Sequence, residues 1–269
     1  MRLALLLLLL LAPGAARAAS MLVVLSEPPS DSYREALEGL RAELGEGVET
    51  ASADRPLPPG PHGVIIAFGG RAAQRARRDG APLVVALAPS FRRRDESAAT
   101  VRVALTPSPE LFVSALLAAG VKRLLAVRSS SADGEFFRRS EEAGRQQGVV
   151  IEDGVLSAQE ELPRLLRASG SDSAAIWLAP DPAVVTPEAF ETAREFARAR
   201  GIPFFAPAAG LVKDEIRGEL TVTFRDCGRE AGRAARELLA GRSIARIVYP
   251  APASTGTKIA LSTVPAAAP

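Results

Sequence analysis

The chain has 269 residues, 47% hydrophobic and 24% charged, ordinary values for a globular protein able to bury a full core. Lys and Arg number 33 against 31 Asp and Glu, and setting aside Arg2 and Arg17 leaves 31 of each. Charge therefore gives no argument for a nucleic-acid or membrane-surface partner. A single cysteine (Cys227) and a single histidine (His62) rule out an internal disulfide and leave almost no material for a His/Cys metal site or a Cys–His catalytic pair.

The N-terminus reads as an export signal: a basic start at Arg2, an apolar run from Leu3 to Ala12, and the small-x-small pattern Ala16-Arg17-Ala18. The run is shorter than the roughly 20 residues that span a bilayer. No cysteine lies near it to carry a lipid. Cleavage near Ala18/Ala19 and a soluble periplasmic product are expected.

Short apolar runs then alternate with amphipathic segments. "MLVVLS" predicts a strand, and "SDSYREALEGLRAEL" a helix capped by Asp31 or Ser32. "ASADRPLPPGPHG" has no period and reads as a Pro-rich connector. "GVIIAFGG" predicts a strand, "RAAQRARRDG" a helix and "APLVVALAPS" a strand; "SPELFVSALLAAG" is a helix with Ser108 as cap and Pro109 at its first position. "VKRLLAVRSS", "GEFFRRSEEAGRQQG" and "VVIEDGVL" give strand, helix and strand. "SAQEELPRLLRAS" reads as a helix interrupted or bent by Pro163, and "SAAIWLAP" as a strand. "TPEAFETAREFARARG" is a helix from the Thr186 cap to the Gly201 stop, "IPFFAPAAG" a strand and "RDCGREAGRAARELLAG" a final helix.

Apolar strands separated by helices predict parallel sheets covered on both sides. A break near "ESAATVRVALTPSP" divides the series into two α/β lobes. The expected organisation is a signal peptide at 1–18, a first lobe at 19–105 completed by about 226–245, a second lobe at 106–225, and a return segment with an Ala/Pro tail at 246–269.

Ligands of open parallel sheets bind beyond the carboxyl ends of the strands. The candidates there are Ser26 and Glu27; Gly69, Gly70 and Arg71; Pro89 and Ser90; Ser129 and Ser130; Asp181; and Ala208. Ala-Pro dipeptides at 88–89, 179–180 and 206–207 suit a wall better than chemistry, because Pro fixes the turn and donates no hydrogen bond. "FGGRAAQR" lacks both the third glycine of a dinucleotide fingerprint and the lysine of a P-loop. What is left is a helix start beside two glycines, able to hold a carboxylate or other small anion, with Arg71 at hand. Arg75 and Arg78 read as a solvated face, and Arg92-Arg93-Arg94 as a solvated loop or basic rim. Asp181 and Glu27 are carboxylates at strand ends that could pair across a cleft as acid and base, with no neighbouring His or Lys to complete a mechanism. "RSSSADG" is no nucleophile elbow. No cofactor or metal is expected.

The succession "MLVVLSEPPSDSYREALEGLRAEL", "GVIIAFGGRAAQRA", "APLVVALAPS", "ELFVSALLAAGVKRLLAVRSSS", "SAAIWLAPDPAVVTPEAFETAREFARARGIPFFAP" and "TVTFRDCGREAGRAARELLAG" resembles the substrate-binding proteins of ABC importers with a type I periplasmic-binding fold. The resemblance implies two Rossmann-like lobes, a small ligand between them, and an ABC permease in the inner membrane as partner. It matches Gly69, Gly70 and Arg71 to a ligand loop and Asp181 to the polar residue after a second-lobe strand. Arg71 replaces the small hydroxyl residue of the family, Ala208 a more polar one, and the Pro-rich connector a full strand–helix unit. The expected function is to hold a small anionic or zwitterionic solute in the interlobe cleft, without catalysis. A diverged periplasmic interaction protein of the same fold is the alternative, and an exported enzyme using Asp181 and Glu27 a third reading.

Overall fold

A computed structural model describes residues 20–89, 91, 99–130, 132, 134–169, 175–205 and 222–251. The export signal, Ser90, Arg92-Arg93-Arg94, Ala208 and the Ala/Pro tail lie outside the described residues. Two sheets, every strand pair parallel, form two α/β lobes.

The first sheet holds β1 (Ser20–Leu25), β2 (Glu49–Ser52), β3 (His62–Phe68), β4 (Leu83–Ala86), β5 (Thr100–Val103) and β10 (Ile247–Val248), in the order β10-β5-β4-β3-β1-β2. The second holds β6 (Arg123–Ser129), β7 (Val150–Leu156), β8 (Ile176–Leu178) and β9 (Phe204–Phe205), in the order β7-β6-β8-β9.

Alternation along the strands feeds two cores per sheet, since successive side chains point to opposite faces. Val23, Val64, Ile66, Val84, Val101 and Val103 face α1 (Asp31–Leu44) and α7 (Phe224–Leu239). Leu22, Val24, Ile65, Ala67, Leu83 and Val85 pack with Ala72, Ala73 and Ala76 of α2 (Gly70–Ala76). In the second lobe, Leu124, Ala126 and Trp177 meet α3 (Pro109–Ala118) and α4 (Glu135–Gln147). Leu125, Val127, Ile176 and Leu178 meet α5 (Leu162–Ala168) and α6 (Pro187–Arg200).

Local differences from the sequence reading have simple causes. Ser30, rather than Asp31 or Ser32, caps α1, its hydroxyl accepting from the Tyr33 amide at 3.4 Å. Pro163 does not bend a helix: a 3-10 turn at Gln159–Glu161 precedes it, and it sits in the first turn of α5, where its missing N–H costs nothing. The start of the Pro-rich connector, Ala51 and Ser52, completes edge strand β2, because pairing with β1 satisfies a backbone that the side-chain pattern left unmarked.

The chain returns from the second lobe into α7, which lies against α1 at very short range. A Cβ on Gly228 would collide with the Ala36 carbonyl, and one on Gly39 with the Arg225 carbonyl. Around this crossing Glu43 faces Arg233 and Arg236 (3.6 and 2.8 Å), and Glu230 faces Arg233 at 3.2 Å. Burial pushes the Glu230 carboxyl above its ordinary value, against the opposing pull of Arg233 and with a further push from Glu43.

Two outcomes are expected. Gly228→Ala should cost more than about 2 kcal/mol, because backbone must move to admit the methyl. Gly47→Ala, with no atom near the added carbon, should change stability by less than about 0.5 kcal/mol; urea midpoints of both variants test the contrast. A raised carboxyl favours folding when protonated, so the stability linked to Glu230 is full below the ordinary value of 4.5 and lost as pH rises through the higher folded value. Glu230→Gln should therefore gain relative to wild type on going from pH 4 to pH 7. Thermal midpoints at the two pH values check the sign.

Candidate functional site

Between the two sheets lies a cavity of about 710 Å³. The first lobe lines it with Val85, Ala88, Pro89, Phe91 and Arg102, the crossing segment with Ala104, Leu105 and Thr106. Phe136, Phe137, Trp177, Ala179, Pro180 and Asp181 come from the second lobe, and Tyr249 from the residue after β10. The carboxyl end of a parallel strand supplies Ala88-Pro89 on one side and Ala179-Pro180-Asp181 on the other, so both described Ala-Pro corners stand at the cavity.

Aromatic side chains dominate the second-lobe wall. Trp177 is fully buried, with Phe112, Phe136 and Phe137 rings at 4.8, 5.9 and 6.0 Å from it. Its indole N–H is enclosed without a hydrogen-bond partner among the described residues. A donor so placed costs about 1–3 kcal/mol, which the ring contacts offset.

Among the described residues, two charged side chains line the cavity. Arg102 rises from β5 between Val101 and Val103, half-buried, on the face opposite α7. Asp181 is buried, and its carboxylate accepts the Ser129 amide at 3.0 Å and the Ala183 amide at 3.1 Å. Ser129 thus lies beside the cavity wall, tying the end of β6 to the end of β8. Among the described residues no group of three His, Cys, Asp or Glu side chains could hold a metal ion. Cys227 is buried in the first core, where desolvation, then the neighbouring Asp226, push its thiol up to about 12; it is no nucleophile at neutral pH.

Of the residues singled out from the sequence, Pro89 and Asp181 line the cavity, and Ser129 touches Asp181. Ser26, Glu27, Gly69, Gly70, Arg71 and Ser130 are not among its lining residues. Glu27 is exposed at the end of β1, so it does not face Asp181 across the cavity. Gly69 has φ +94° and leaves room that a Cβ would take from the Tyr33 hydroxyl. Arg71 turns to Asp54 at 2.7 Å with its side chain 76% exposed, and Arg75 donates to the Ala53 carbonyl at 3.3 Å. These arginines fasten the loop after β2. Ser130 is exposed, its amide held by the Leu156 carbonyl at 2.8 Å. Ser90 and Ala208 fall outside the described residues.

Sequence reasoning passed over Arg102, Thr106, Phe136, Trp177 and Tyr249. Arg102 had a legible mark, a lone charge inside the apolar strand "TVRVAL". The aromatics carried none: Phe136 and Trp177 look like ordinary helix and strand core, and Tyr249 follows a two-residue strand with no motif around it.

No family model matches the chain, and no curated protein matches it. Solved structures do. An ABC domain from Streptococcus pneumonia, solved in complex with L-Trp, aligns at 16% identity over 86% of this chain and 90% of that one, with a TM-score of 0.55. A substrate binding protein with adhesive properties from Clostridium difficile aligns at 14% identity over 86% and 88%, TM-score 0.55. A LacI-family transcriptional regulatory protein from Corynebacterium glutamicum aligns at 14% over 94% and 100%, TM-score 0.50. At such identities the likeness is one of fold, shared by a substrate binding protein and a transcriptional regulator, and the chain has the two-lobed type I periplasmic-binding fold.

Proposed function

We propose that the chain is the solute-binding component of an ABC-type importer, exported to the periplasm, holding a small anionic or zwitterionic solute between its lobes. The observation that carries this reading is a single cavity lined from both lobes and the segment joining them, of a size that suits a small molecule. Arg102 supplies the positive end for a carboxylate. Asp181, whose two amide contacts leave lone pairs unused, supplies a negative end for an ammonium. Phe136, Trp177 and Tyr249 supply a wall for an apolar or planar part, the kind of solute exemplified by the L-Trp held in the Streptococcus pneumonia structure. Opposite charges and an aromatic wall around one cavity suit the holding of a solute. An inner-membrane permease is the partner this role requires.

A thermal-shift screen of amino acids, small organic acids and nucleosides, L-tryptophan included, tests the reading. A true ligand at 100 times its Kd should stabilise the protein by about 2.7 kcal/mol. Trp177 is the chain's only tryptophan, so a hit in this cavity should also change its fluorescence. A panel-wide flat response would defeat the proposal. For an anionic hit, Arg102→Met should weaken binding about 10- to 100-fold, the value of a charge-assisted hydrogen bond. Arg71→Ala, which loses only an exposed pair with Asp54, should leave the affinity unchanged in the same titration calorimetry.

A further inference from the structure

Tyr249 belongs to one lobe by its backbone and to the other by its side chain. It directly follows β10, whose Val248 pairs with Val103 of β5 and accepts the Ala104 amide at 2.9 Å. Its ring nevertheless lies against α4 of the second lobe. The Phe136 ring centroid is 6.3 Å away at 44°, and the Arg139 guanidinium stands 5.5 Å from the Tyr249 centroid. Arg139 is itself aimed by Glu110, in the first turn of α3, at 3.1 Å. Two side chains of the second lobe thus hold one ring of the first, at the edge of the cavity that Phe136 and Tyr249 both line.

Along the chain the lobes are joined at the crossing 104–108 and again between β9 and α7. Joints of this kind leave relative motion of the lobes as the default, unless non-covalent contacts oppose it. Moving the lobes apart would pull the Tyr249 ring from Phe136 and Arg139 together.

We infer that Tyr249 is a latch between the lobes: Phe136 and Arg139 hold its ring while the lobes are together, whether or not the cavity is occupied.

The test is therefore made without ligand. Spin labels on Gln74→Cys in α2 and Gln147→Cys in α4, both exposed positions, report the distance between lobes by double electron–electron resonance. Cys227 is buried in the first core, and wild-type protein carried through the same labelling serves as the blank. Tyr249→Ala should lower the closed-to-open ratio about tenfold, the combined worth of an aromatic pair and a cation–π contact. Arg139→Met should lower it about two- to fivefold, and Tyr249→Phe, which keeps the ring, should open less than Tyr249→Ala. Unchanged distances in Arg139→Met and Tyr249→Ala would overturn the latch, as would opening in Tyr249→Phe equal to that in Tyr249→Ala. Should Tyr249→Ala fail to fold, Arg139→Met decides alone. None of these outcomes touches the ligand screen, so either proposal can fall while the other stands.

Discussion

The close crossing of α1 and α7 is the constraint on which the rest of the molecule depends. The chain leaves the first sheet after β5, builds the whole second lobe, and must then return to cover the face that α1 leaves partly bare. It can do so only because Gly39 and Gly228 present no side chain where each meets a carbonyl of the other helix. With the helices that near, Cys227, Ala231, Ala234 and Ala235 of α7 reach down to Val84 and Val101 of the sheet. Close packing of small residues gives each helix many short-range contacts in place of large buried side chains. The exposed ion pairs along the seam, such as Arg225 with Glu38, add orientation more than energy. Because α7 docks here, β10 is delivered beside β5 and Tyr249 arrives at the cavity.

The second constraint is that all strands of both sheets are parallel. Parallel order collects every carboxyl end on one edge of each sheet, and the two edges then face a common space. Proline at those ends closes the strands sharply, and the Asp181 carboxylate caps two amides that a buried turn would otherwise leave orphaned. The aromatic group around Trp177 fills the base of the second-lobe wall. The cavity is thus bounded on the second-lobe side by an aromatic surface, and elsewhere by first-lobe strand ends and the crossing segment.

Much of the architecture was readable because it follows from local chemistry. Ser108-Pro109 and Thr186-Pro187 announce helix starts whatever lies around them, since a hydroxyl cap and a preset φ act within one turn. Runs such as "MLVVL" and "RLLAV" announce buried parallel strands, and their alternation with helices announces the α/β class. Local reasoning faltered where two choices were nearly equal, as between Ser30 and its neighbours for the cap of α1. It faltered again where the decisive partner lay outside the segment, as for β2, which exists because β1 offers it an edge.

The candidate site divides along the same line. That strand ends with Ala-Pro corners and Asp181 are candidates for one site was contained in the sequence, because strand direction and turn chemistry are local properties, and the described corners line the cavity. Which of those ends meet was not. Gly69 and Arg71 look, in sequence, like an anion cradle, yet Asp54 lies 17 positions upstream and only the folded chain brings its carboxylate to the Arg71 guanidinium. Phe136, Trp177 and Tyr249 are separated by 41 and 72 positions and form one wall. Sequence by itself determined the elements and the class, because hydrogen-bonding caps, prolines and apolar periods act within a few residues. Tertiary structure alone decided the membership of the cavity, because side chains distant in sequence share a space only after the lobes have folded and α7 has carried the chain back.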